Sequence, residues 1–266
     1  MFALNIAISG HHLELMKNEL IRGLPQVKSS HRWEALARGF RFQTYAAMRA
    51  ALMAAPPTIG VDGAAFTNYL EAKGYCASYR AIYRLAAKIA LCEIMATTPK
   101  LTCWGIGVGE WRRGSDGTWE SAREYEDRFN ASRRDLLHDS SADQFLLSLA
   151  LLTHLPKTKT PRPGVGSYRV KHIVENYPYS YPDSDLLGPI YVANGLTIAA
   201  AIHLGILYKT FKTESGRDHL NVALAVSQRV VDDLDCQFRP DGARAQQRRR
   251  RQELRILRRN HVWVYP

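Results

Sequence analysis

The chain has 266 residues, of which 46% are hydrophobic and 23% charged, which excludes wholesale disorder and allows one large or two small domains. Its net charge of +11 is local. Between residues 237 and 266 lie Arg239, Arg244, Arg248, Arg249, Arg250, Arg251, Arg255, Arg258 and Arg259, opposed only by Asp241 and Glu253, so that segment carries +7.

Cys76, Cys92, Cys103 and Cys236 are far apart and form no CxxC pair. They read as reduced thiols of a reducing compartment and not as a metal cage. The apolar N-terminus, 1–9, has no basic lead and no small-residue cleavage site, so no secretory signal is expected. The most apolar stretch, 190–208, contains Asn194, Thr197 and His203 and reads as a core helix, not a membrane span. A cytoplasmic protein is expected.

In chain order, Phe2 to Ile8 has the character of an edge strand. Leu13, Met16, Leu20 and Leu24 have helical spacing, with Ser9 as a cap before them and Pro25 as the stop. Ser30 is placed to cap a short helix burying Trp33, Leu36 and Ala37, with Gly39 as its left-handed C′ residue. Thr44 caps a third helix that ends before Pro56. Residues 11–55 thus read as a compact tri-helical unit.

Two helices broken at Gly74 are predicted over 64–96. The second buries Ile82, Leu85, Ile89 and Cys92 and carries Arg80, Arg84 and Lys88 as a stripe at i, i+4 and i+8, flanked by Tyr79 and Tyr83. A strand or strand bend is predicted over 101–108. A charged helix follows over 121–138 and an apolar one over 142–155. The Pro-, Gly- and Lys-rich run 156–166 reads as a linker or long exposed loop. Beyond it come a helix over 168–176, a Tyr/Pro-rich loop, an apolar helix from Asn194, a strand over 220–226 and a helix over 230–236. The expected class is mainly α with a small β component: an N-terminal region 1–155, an α+β region 167–236 and an Arg-rich tail 237–266.

Four segments are KSSHRWEALARGFRFQTYAAMRAAL (28–52), SYRVKHIVENY (167–177), LGPIYVANGLTIAAAIHLG (187–205) and DDLDCQFRPDGARAQ (232–246). Through them the chain resembles a family of uncharacterised proteins carried on plasmids and integrative elements of proteobacteria. The first also resembles a small helical module near the ends of unrelated mobile-element proteins. The resemblance implies a genomic setting, that of handling, copying or defending DNA or countering a host defence. It implies no catalytic residues and no cofactor.

The Arg tail is the leading candidate site. As a helix it puts Arg248, Arg251, Arg255 and Arg258 on one face, with Arg249, Arg250 and Arg259 beside them. Guanidinium forks suit a phosphate backbone. The plain alternatives are a solvated tail or a helix docked on an acidic face of the same protein. Further candidates for phosphate contact are the stripe Arg80, Arg84 and Lys88. In a helix-turn-helix reading of 11–55, so are Lys28, His31, Arg32, Arg38 and Arg41. Lys157, Lys159, Arg162, Arg169 and Lys171 would extend such a groove.

For catalysis, His172 and Glu175 stand at i and i+3, with Lys171 and Asn194 as helpers. Asp232, Asp233 and Asp235, with Asp218 and His219, form the acidic cluster a nuclease would need. GIGVGE (105–110) fits no phosphate-loop pattern and reads as a tight bend. The expected function is a nucleic-acid-associated protein, of DNA or RNA, with an RNA-binding subunit of a ribonucleoprotein as one form. The alternatives are a hydrolase or nuclease using those residues and a protein-binding inhibitor of a host defence system.

Overall fold

The computed structural model describes residues 4–55 and 57–261, and side chains up to residue 256. Among these, eleven helices carry the fold, and the strands pair only in twos, so the class is the expected mainly helical α+β.

Strand β1 (Asn5–Ala7) pairs antiparallel with β2 (Thr58–Gly60). Between them lie α1 (Leu13–Gly23), α2 (Ser29–Gly39) and α3 (Tyr45–Ala54). Thr44 caps α3 by accepting the Ala47 N–H, as its position before the apolar run predicts. In the expected tri-helical unit α2 packs on α3, but its apolar residues join one cluster with those of the rest of the chain. Helix α1 packs on α5 (Arg80–Thr97), while α2 packs on α4 (Gly63–Glu71). Gly39 is the last residue of α2, not its left-handed terminator; that conformation falls on Arg41, with φ +65°. Gly39 is there for space, since a Cβ would lie 2.1 Å from Cδ1 of Ile82.

The short β3 (Leu101–Thr102) and β4 (Gly105–Ile106) make a hairpin, followed by α6 (Ala122–Arg134) and α7 (Asp139–Thr153). Ser121 and Glu124 form a reciprocal cap at the start of α6. Then come α8 (Ser167–Val174), β5 (Tyr179–Ser180) with β6 (Leu186–Gly188), and α9 (Asn194–His203). Next are β7 (Tyr208–Lys209) with β8 (Ala223–Leu224), α10 (Gln228–Phe238) and α11 (Ala243–His261). No helix among the described residues is long and apolar enough to cross a membrane. The apolar α9 is instead packed on α7, with Leu196, Ile198 and Ala199 to Ala201 buried.

The run 156–166 is not a linker between domains. Thr158 and Arg162 donate their backbone N–H groups to Ala225 and Leu224, and Ser167 donates to Val222. One apolar cluster includes residues on both sides of it, from Leu4 to Val231. Its Pro and Gly residues serve an irregular strand-like path along β8.

Two charged knots join the central helices. Asp143 of α7 accepts from Arg84 at 2.7 Å and 2.5 Å, from Arg80 at 2.6 Å and from the buried Tyr181 hydroxyl at 2.8 Å. Burial pushes its pKa up, but these hydrogen bonds more than offset that, so it stays below the usual carboxylate range. One turn earlier, Asp139 meets the buried Lys88 ammonium at 2.5 Å, and Glu19 of α1 meets it at 2.8 Å.

Asp143→Ala should therefore lower the unfolding free energy in urea by about 3 kcal/mol, because it strips one acceptor from two guanidiniums and a phenol. The partial exposure of Arg80 and Arg84 keeps the loss from being larger. A change under 1 kcal/mol would show that the knot contributes little.

Candidate functional site

Two regions of the fold gather chemistry: an aromatic-rimmed cleft and the Arg-rich α11. The cleft has a volume of about 780 Å³ and is walled by the β3–β4 turn, the start of α7, α8, the loop into α9 and residues 218–221. Its floor is pinned by Asn194. The Asn194 amide donates to the Trp104 carbonyl at 3.1 Å, the Leu220 carbonyl at 3.2 Å and Oδ1 of Asn221 at 3.2 Å. Asn194 is the first residue of α9, and its amide ties three segments together, whereas the sequence offered it as a helper to His172 and Glu175. Two glycines permit the approach. A Cβ on Gly195 would sit 1.8 Å from the Thr102 carbonyl, and one on Gly105, at φ +138°, 2.0 Å from the Leu220 carbonyl. The alternating glycines of 105–109 are therefore a bend, as expected, with Gly107 and Gly109 also at positive φ.

Helix α8 supplies the other wall. Glu175, just beyond its last turn, accepts from Lys171 at 2.9 Å, from His172 Nδ1 at 2.6 Å and from the Val192 N–H at 3.2 Å. Burial raises the Glu175 pKa, but the hydrogen bonds from Lys171, Val192 and His172 prevail and hold it low. The Lys171 ammonium lies 5.2 Å from the Tyr168 ring centre and 4.8 Å from that of Tyr191. The expected His172–Glu175 pair does form, but the carboxylate is shared with Lys171. Cys103 lines the same cleft, and burial pushes its thiol pKa up.

The structure scatters the other sequence candidates. Lys88 is 2% exposed, and Arg80 and Arg84, though partly exposed, close on Asp143, so each cation of the basic stripe already has a carboxylate partner in the same chain. His31 bonds the Tyr69 hydroxyl at 3.0 Å and Arg38 bonds Gln43. Lys28 and Arg41 are exposed, and Arg32 is half-buried. The Asp cluster is a row of ion pairs. Asp232 meets Arg169 and Arg244, Asp233 meets Arg248, and Asp235 meets Arg169 and Arg239. Asp218 is held low by Lys100 and Lys212. These carboxylates are matched by cations of the same chain and form no open cation cage among themselves.

Helix α11 is the expected Arg helix. It leans on α10 through Arg244 and Arg248, with Ala245 buried beneath, and Arg249 bonds the Pro240 carbonyl. Arg250, Arg251 and Arg255 are exposed with no acidic partner among the described residues. The side chains of Arg258 and Arg259 lie outside the described residues.

A cluster not anticipated from sequence is His11, His12 and Glu93, whose ligand-type atoms fall within 4.8 Å of one another. His12 Nδ1 accepts the Ser9 N–H at 3.3 Å, and its Nε2 lies 3.0 Å from a Glu93 carboxylate oxygen. The adjacent histidines were the cluster's only trace in the sequence.

No protein-family model matches the chain, and neither the curated proteins nor the solved structures give a match.

The buried histidines set a pH dependence. Burial, and then the neighbouring His11 charge, depress the His12 pKa below 6.5 despite Glu93, and burial alone depresses that of His203. Both fold with neutral rings, so the unfolded chain binds more protons below pH 6.5 and stability falls as pH drops. Thermal unfolding should show Tm declining between pH 7.5 and 5, before the carboxylates titrate, and His203→Phe should reduce the decline. A flat Tm across that window would contradict this.

Proposed function

We propose that the protein binds a nucleic-acid backbone through the outer face of α11. The observation that supports this is the division of its arginines. Acids of α10 and the 239–241 turn engage Arg244, Arg248 and Arg249, which anchor the helix, while Arg250, Arg251 and Arg255 are exposed with no acidic partner among the described residues. A helix of 19 residues is about 28 Å long, enough to follow several phosphates. Leu254 and Ile256 are exposed beside the arginines, too few to bury the helix against an apolar partner. Arginine gains most where its planar fork meets phosphate oxygens. The resemblance to mobile-element proteins agrees with this reading, whether the partner is DNA or RNA.

Replacing Arg250, Arg251 and Arg255 together by Ala should weaken binding to labelled oligonucleotides. It should also flatten the log–log salt dependence by about 2 units, at roughly 0.7–0.9 unit per lost phosphate contact. Arg244→Ala should act instead on how α11 is held. An unchanged slope in the triple variant would remove α11 as the contact surface.

A further inference from the structure

We propose that the cleft between α8 and the β3–β4 turn takes a planar, uncharged heteroaromatic ring of the nucleobase type. Three large aromatics are left half or more exposed at this one cleft: Trp104 at 50%, Tyr168 at 51% and Tyr191 at 65%. Such rings are ordinarily covered, and their convergence on one concave surface is the usual architecture of a stacking site.

The polar groups of the cleft decide what kind of ring. Lys171, the lysine that lines the cleft, is held by Glu175 and two tyrosine rings, and Lys100 and Lys212, outside the lining, are on Asp218. Nothing in that set is left to neutralise a phosphate. The unused groups are instead neutral donors and one acid. Gln144 accepts the Ala193 N–H through Oε1, and its amide NH2 has no acceptor among the described residues. Asn221 accepts from Asn194 through Oδ1 and likewise keeps its NH2. His219 Nδ1 accepts the Asn221 N–H at 3.1 Å, which directs the proton of the neutral ring to Nε2. Asp135, which lines the cleft from the segment before α7, has the Cys103 thiol 3.9 Å away and no cation partner among the described residues. Amide and imidazole donors and a carboxylate acceptor lining one cleft match the edge of a ring that carries carbonyl and amine groups. A plain hydrocarbon ring would leave them unpaired.

The inference stands apart from the α11 reading, because no residue is shared. A free nucleoside and an unstacked base of a strand present the same chemistry, and the experiment separates them. Adenosine, uridine and short single-stranded oligonucleotides are titrated into the full chain while tryptophan emission is followed, with Trp104→Phe to identify the reporting ring. Saturable quenching by nucleosides, weakened about tenfold in Tyr191→Ala, is the expected result and assigns a free ligand. Quenching by oligonucleotides alone, lost in Tyr191→Ala yet retained in the α11 triple Arg→Ala variant at low salt, assigns a base of a strand. Tyr191 is a surface ring, and an unchanged circular dichroism spectrum and Tm confirm that its variant is folded. The proposal is overturned by no quenching from either class, by quenching that Tyr191→Ala leaves intact, or by benzyl alcohol binding as well as the nucleosides do.

Discussion

The arrangement of α5 against α7 depends on two carboxylates, one helical turn apart, meeting three cations. Asp143 takes Arg84 and Arg80, and Asp139 takes Lys88. As the numbering rises on α5 it falls on α7, so the pairing also sets the two helices antiparallel. Apolar packing between two such helices tolerates a slip of one turn; charges of opposite sign at matched intervals do not. Because Lys88 and Asp143 are nearly closed to water, a slipped arrangement would leave a charge buried and unpaired, at a penalty of several kcal/mol. Register is the main product of these pairs, more than net stability.

That register has consequences further along the chain. Helix α7 supports α9, whose first turn must thread between the Thr102 carbonyl and residues 220–221. Only then do the walls of the cleft meet. Helix α8 closes the far side and also reaches the other end of the molecule. Tyr168 and Lys171 face the cleft while Arg169, between them, grips Asp232 and Asp235 of α10. Asp232 in turn holds Arg244 of α11.

Local signals were legible in the sequence. Thr44 and Ser121 cap helices because a hydroxyl before an apolar run satisfies N–H groups a few residues on. Gly74 separates α4 from α5 at φ +80°, and the apolar spacing marks the core faces. The partners of charged side chains were not legible. The stripe of Arg80, Arg84 and Lys88 is the same string of letters whether it faces solvent or a carboxylate 59 residues away. The cleft was hidden for the same reason, since its walls come from segments as distant as Trp104 and His219. Gly39 misled because a glycine at a helix end reads as a left-handed cap, whereas here it makes room for Ile82. The run 156–166 misled because Pro and Gly read as freedom, while the Thr158 and Arg162 N–H groups are bound to Ala225 and Leu224.

The internal matching of charge also bears on how the molecule meets anything else in solution. The cations of α5 and the carboxylates of α7 cancel within the body, and Arg239, Arg244 and Arg248 are matched by acids of α10, which leaves Arg250, Arg251 and Arg255 as the outward charges of α11 among the described residues. Were a polyanion the partner, as proposed above, charges set on one outer helix face would exert a torque as well as an attraction and favour an approach with α11 leading.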